Sequence, residues 1–120
     1  MHKTSIILIA LMSCLTGCSS SSQETERDIQ NRFQAAQSIK NNAERDDALC
    51  GLASKAAKEG MDELAEDIIK EIGRNDLRDS TSHECALILA RQGKTIEATR
   101  IAKSIGLNDL RDKTLVKIAE

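Results

Sequence analysis

The chain has 120 residues, with 17 basic against 19 acidic side chains, no Pro, Trp or Tyr, and a single aromatic residue, Phe33. So mildly acidic a chain has neither the basic footprint nor the stacking platforms that nucleic-acid binding uses, which excludes that class of partner. Ala, Leu, Ile, Glu, Lys and Arg dominate, and with no Pro to break helices they predict an all-α domain with a modest core.

Lys3 opens a short basic start, Ile6 to Met12 form an apolar run, and small residues follow. A run of this length cannot cross a hydrocarbon core that needs about 20 helical residues, so it reads as a cleaved signal rather than a permanent span. Directly after it stands Leu15-Thr16-Gly17-Cys18. That order resembles the bacterial lipobox; the alternative is an ordinary signal peptide with an accidental cysteine. The resemblance implies a signal peptide over 1–17 and lipid attachment at Cys18, with three acyl chains in a Gram-negative host. One chain anchors reversibly and two anchor stably, so such an N-terminus stays in the bilayer. Ser19 follows the cysteine instead of Asp, which by the family's sorting rule implies the outer membrane, facing the periplasm or the surface. Residues 18–23 then form a serine-rich flexible tether, and 24–120 the folded domain. Removing 1–17 takes Lys3 away and leaves a net formal charge near −3.

A helical pattern starts at Glu24, with Ile29, Phe33, Ala36 and Ile39 on one face, and Asn41-Asn42 interrupt it. From there the chain repeats with a 33-residue period. Arg45-Asp46, Arg78-Asp79 and Arg111-Asp112 share it, as do Gly60 with Gly93, Ala65 with Ala98, Ile68 with Ile101, Ile72 with Ile105 and Gly73 with Gly106. Asn75-Asp76-Leu77-Arg78-Asp79 recurs intact at 108–112. A fixed period of this length means a two-helix unit that buries its apolar stripe against the next copy. The first helix of a unit is predicted over 44–59, with Leu49, Leu52, Ala53 and Ala56 inward and Gly60 ending it. Ala65, Ile68, Ile69 and Ile72 mark the second helix. Cys85, Ala86 and Leu89, then Ala98, Ile101, Ala102 and Ile105, repeat the pattern, and a last helix carries Leu115, Ile118 and Ala119. Asp76 and Asp109 are expected to cap their helices. The fold class is therefore all-α, a short α-solenoid of antiparallel helix pairs with five to six helices.

From about Arg45 the chain resembles tetratricopeptide-type repeats. Ala53 with Ala65, and Ala86 with Ala98, stand where that family pairs small residues, and Gly93, Glu97 and Ala98 match its turn glycine, acid and alanine. It departs from the family in its period, one residue short of the usual 34, in its missing large aromatics and in its missing proline. The resemblance covers about two and a half units. It implies a concave face lined by Cys50, Ser54 and Ala57, then His83, Leu87 and Ala90, that holds a peptide or helix of a partner.

The Arg-Asp pairs allow two readings: a ladder of guanidinium forks for an acidic partner, or a structural role in which Asp favours the helix dipole and Arg bridges to a neighbouring unit. The structural one is preferred. Cys50 and Cys85 lie on opposite flanks of equivalent stripes, which allows a disulfide in an oxidising compartment. His83-Glu84-Cys85 suggests a metal, but consecutive helical residues point about 100° apart and cannot converge on one ion. No nucleophile with base and orienting acid, no HExxH and no phosphate-cradling glycine loop occurs, so neither catalysis nor a cofactor is expected.

These readings converge on a membrane-anchored interaction module or assembly factor of the bacterial envelope, whose partners are an envelope protein or peptide and, through the lipid, the membrane. A small blocking lipoprotein, an exclusion or immunity factor, is the alternative, and a thiol-redox protein is disfavoured because there is no CxxC. Val116 and Ile118 stand uncovered on the last helix, so self-association through that end is also expected.

Overall fold

The structure, a computed structural model, describes residues 23–120; the expected signal peptide over 1–17, Cys18 and most of the expected tether lie outside them. Gln23, assigned above to the tether, is already helical. Six helices are present among the described residues: α1 over 23–37, α2 Asn42–Lys58, α3 Asp62–Lys70, α4 Asn75–Arg91, α5 Thr95–Lys103 and α6 Asn108–Ala119. The period is visible in the bounds themselves, since α4 and α5 stand 33 residues after α2 and α3, and α6 starts 33 after α4. No helix among them is long and apolar enough to cross a membrane.

Helix ends follow from local chemistry. Asn41, read above as an interruption, is the N-cap of α2: its Oδ1 accepts from the N–H groups of Ala43 (3.0 Å) and Glu44 (3.2 Å), two donors a helix start leaves unpaired. At the other end Gly60 takes a φ of 74°, so Met61 N–H reaches back to Ala56 O, and Gly93 at φ 82° repeats the turn with Lys94 N–H on Leu89 O. The expected Asp76 and Asp109 caps are not formed. The N-cap positions are Arg74 and Leu107, and the aspartates fall two positions further on, inside the first turn, where they cannot cap. Asp76 instead meets Arg74 at 2.8 Å, and this guanidinium holds the carboxyl below its usual range.

The core is a strip of small and branched side chains: Leu49, Ala53, Ala56, Ala65, Ile68 and Ile72 from the first unit, and Ala86, Leu89, Ala98, Ile101 and Ile105 from the second, all essentially inaccessible. Alanines at Ala53, Ala65, Ala86 and Ala98 let paired helices approach closely, while each buried Leu or Ile contributes about 1.5–3 kcal/mol.

One element plays a part that its sequence hides. The last turns of α1 stand 33 residues before α3, with Ile39 at the position of Ile72 and Ile105. Arg45 donates to Ile39 O, as Arg78 does to Ile72 O and Arg111 to Ile105 O. Helix α1 is thus the second helix of a preceding unit. Among the described residues the array runs from a second helix through two full units to the first helix of a third.

Candidate functional site

The Arg-Asp pairs are the hardware of the repeat. In each copy the Arg folds over its own helix start: Arg45 to Asn42 Oδ1 at 2.8 Å, Arg111 to Asn108 Oδ1 at 2.7 Å, and Arg78 to Asn75 in the same way. The Asp reaches far ahead. Asp46 accepts from Gly73 N–H (3.0 Å) and Arg74 N–H (3.2 Å), and Asp79 from Gly106 N–H (3.0 Å) and Leu107 N–H (3.2 Å). A carboxylate on one first helix therefore holds the N-terminus of the next first helix, where the helix dipole also favours negative charge. These contacts specify the structural reading: the Asp serves the following helix rather than its own.

Other ties run between the units. Gln92 Nε2 donates to Ala57 O and Lys58 O, both at 3.0 Å, and Lys94 Nζ to Gly60 O at 2.9 Å, so the second turn satisfies carbonyls at the end of α2. Arg100 on α5 bridges Asp62 and Glu66 on α3. Two open hollows, of about 510 and 410 Å³, meet around Arg78 and Ser104 on this side. Their chemistry is already committed: Arg78 to Ile72 O and Asn75, Asp79 to the α6 start, Arg100 to its two carboxylates.

The side formed by the first helices is different. A shallow cavity of about 280 Å³ is lined by Lys58, His83, Glu84, Leu87, Ile88 and Arg91. Of the residues expected on this face, His83 and Leu87 line it, Cys50, Ser54 and Ala90 are half-buried beside it, and Ala57 is fully enclosed in the core. Ala57 is withdrawn from the surface because Gln92 and the turn after α4 close over its carbonyl. Lys58, Glu84, Ile88 and Arg91 were missed because the family pattern names positions on one flank, and this cavity opens on the next.

His83 is held from behind. Its Nδ1 lies 2.6 Å from Thr114 Oγ1, and Thr114, fully buried, gives its only hydroxyl hydrogen to Leu110 O at 2.6 Å. Nδ1 must therefore be the donor, which leaves Nε2 as the ring's remaining polar atom. The same joint occurs one unit earlier, where Thr81 Oγ1 donates to Cys50 Sγ at 3.1 Å. Among the described residues no three His, Cys, Asp or Glu side chains gather where they could hold a metal ion.

Cys50 and Cys85 are unbridged. The flank geometry allowed a disulfide, but the register across α2 and α4 gives Cys50 the hydroxyl of Thr81, about one turn before Cys85, and Cys85 lies inside the core beside Ser54. Burial pushes the Cys85 thiol up to about 12 and raises that of Cys50 less strongly. A raised thiol pKa means that the fold favours the neutral form, a stabilisation fully present below the ordinary thiol range and lost as the pH rises from there through the raised value. Thiolate is the reactive species. With native protein at about pH 8 a maleimide should modify Cys50 slowly and leave Cys85 intact, whereas in denaturant both react at similar rates. Equal native rates would show that Cys85 is not sealed in the core.

No known protein family, curated protein or solved structure matches this chain.

Proposed function

We propose that the chain is a lipid-anchored protein of the bacterial envelope, held at the outer membrane of a Gram-negative cell through Cys18, and that its first-helix face holds a peptide or helix of an envelope partner. It is an interaction module or assembly factor rather than an enzyme, built as tetratricopeptide-like repeats. The observation that carries this reading is the cavity at His83, Leu87 and Ile88, whose lining combines the apolar Leu87 and Ile88 with Lys58, Arg91 and Glu84. An apolar strip with charges of both signs at its rim suits an amphipathic segment carrying a carboxylate near its apolar anchors. The opposite side supports it by contrast, because there the polar groups are consumed by the repeat itself.

The test is a photo-crosslinking amino acid placed at Leu87 in growing cells, with Ile96, 80% exposed on α5, as the comparison site. A discrete protein adduct at Leu87 that is absent at Ile96 supports the reading, and Arg91→Glu made beside the Leu87 probe should reduce capture by about tenfold or more. Identical adducts at the two sites, or lipid alone, would remove the groove from consideration. Capture of a component brought in by a plasmid or phage, instead of a resident one, would move the protein to the blocking class, as an exclusion or immunity factor.

A further inference from the structure

The two ends of the repeat array are complementary, and we propose that they join: α6 of one copy packs against α1 and α2 of a second copy, head to tail. The inference rests on the repeat geometry and is independent of the partner groove.

The first helices give the register. Asp46 and Asp79 each hold the two backbone N–H groups that lie 27 and 28 residues ahead. Asp112 occupies the same place on α6, is exposed, and has no hydrogen-bond partner among the described residues. At the other end of the array, Lys40 and Asn41 occupy the places of Gly73-Arg74 and Gly106-Leu107. Their N–H groups have no acceptor among the described residues, and the Asn41 side chain is engaged with Ala43 and Glu44. One end thus carries an unused carboxylate and the other the two unused donors that the repeat pairs with it. A side chain fits at position 40: a Cβ built on Gly73 or Gly106 stands 3.6 or 3.5 Å from the clamping carboxylate, ordinary contact distance, and the Lys40 ammonium adds a charge opposite to that of Asp112.

The apolar surfaces follow the same register. Helix α6 is a first helix with no second helix after it within the 120 residues, and α1 is a second helix with no first helix before it among the described residues. On α1, Ala35 is exposed where its counterparts Ile68 and Ile101 are buried, and Arg32 is exposed where Ala65 and Ala98 are buried. On α6, Leu115 and Ile118 hold the places of Leu49 and Leu52, and both are only half-buried. The joint that is Thr81 on Cys50 and Thr114 on His83 inside the chain becomes Ala48 of one copy on Val116 of the next, and Val116 is 60% exposed. A polar joint within the chain is replaced by an apolar one at the ends. Arg32 falls opposite the last turn of α6, beside Glu120.

Two different patches meet in this contact, so it is heterologous and can continue beyond two copies. That gives a test which a symmetric dimer fails. The full chain, purified in a density-matched mild detergent, is followed by sedimentation velocity over rising concentration, together with Asp112→Lys, which blocks one end, and Ala35→Arg, which blocks the other. Both positions are exposed, and circular dichroism should show unchanged helix content. The wild type should grow with concentration past the dimer. Each variant alone should associate about tenfold or more weakly, the scale of losing hydrogen bonds to a charged group. An equimolar mixture of the two variants should form one-to-one pairs that stop at two, because each supplies the open end the other lacks. A wild type that stays monomeric, a mixture that does not pair, or full association by Ala35→Arg would each overturn the proposal. Val116→Arg and Lys40→Glu provide a second pair of blocked ends should either first variant lose helix content.

Discussion

Asp79→Ala is expected to cost about 2–3 kcal/mol of stability, which for a domain of this size lowers Tm by roughly 10–20 °C, while Asp112→Ala should stay within about 0.5 kcal/mol. The two residues share a sequence neighbourhood, Asn-Asp-Leu-Arg-Asp, and the fifth position of their helices. They differ in what they hold. Asp79 is 6% exposed and accepts from Gly106 and Leu107 N–H, fixing the start of α6, whereas Asp112 is exposed and unpaired. Removing the Asp79 carboxylate leaves two part-buried donors without an acceptor and takes a negative charge from the α6 N-terminus. Asp79→Asn keeps one acceptor atom and should fall between. The loss should be local at first, because Thr114 is the one buried side chain of α6 and little apolar surface ties that helix down. Amide exchange would show α6 opening ahead of α2 to α5. Thermal melts at concentrations low enough to keep the chain monomeric provide the measurement. Equal losses in Asp79→Ala and Asp112→Ala would mean that the Asp works only through the dipole of its own helix, and the long-range clamp would be wrong.

That contrast shows what the sequence could and could not convey. The period, the helix class and the inward residues were legible because they depend on residue type at fixed spacing: Ala53, Ala65, Ile68 and their counterparts 33 residues on are all buried. The partner of Asp46 was not legible, because the acceptors of a side chain 27 residues from its donors are fixed only when α2 and α3 have folded back on each other. Asn41 looked like an interruption because Asn in a helical stretch disfavours the helix, yet at its edge the same short side chain is what begins one. Helix α1 hid its membership of the repeat since Arg32 and Ala35 replace Ala65 and Ile68, a change that makes sense where no first helix among the described residues covers them. For the groove, His83 and Leu87 were reachable through the resemblance to tetratricopeptide-type repeats, but Thr114 behind His83 was not, lying one unit further on.

Cys18→Ser is expected to move the protein from the membrane fraction to the soluble one while leaving the fold unchanged. On the proposed anchoring, serine has no thiol to carry a diacylglyceryl group, and the resemblance of Leu15-Thr16-Gly17-Cys18 to a lipobox turns on that sulphur. Each buried methylene of an acyl chain contributes about 0.8 kcal/mol, so one chain gives a reversible hold and two or more a lasting one. Stability should not change, because Cys18 precedes the described helices and, among the described residues, every buried core side chain lies at Ile29 or beyond. The functional consequence follows from geometry. Few residues separate Cys18 from α1, so an anchored domain searches only a thin layer at the bilayer, where its effective concentration toward a membrane-bound partner is far higher than in free solution. In cells, crosslinking from Leu87 should therefore collapse in Cys18→Ser even though the groove is intact, and purified Cys18→Ser protein given the isolated partner should bind as the wild type does. Cell fractionation with an alkaline wash, circular dichroism and the Leu87 crosslink measure the three parts separately. Retention of Cys18→Ser in washed membranes would show that something other than lipid holds the chain there. Loss of binding in the purified system would place the cysteine in the fold or the groove instead of the anchor.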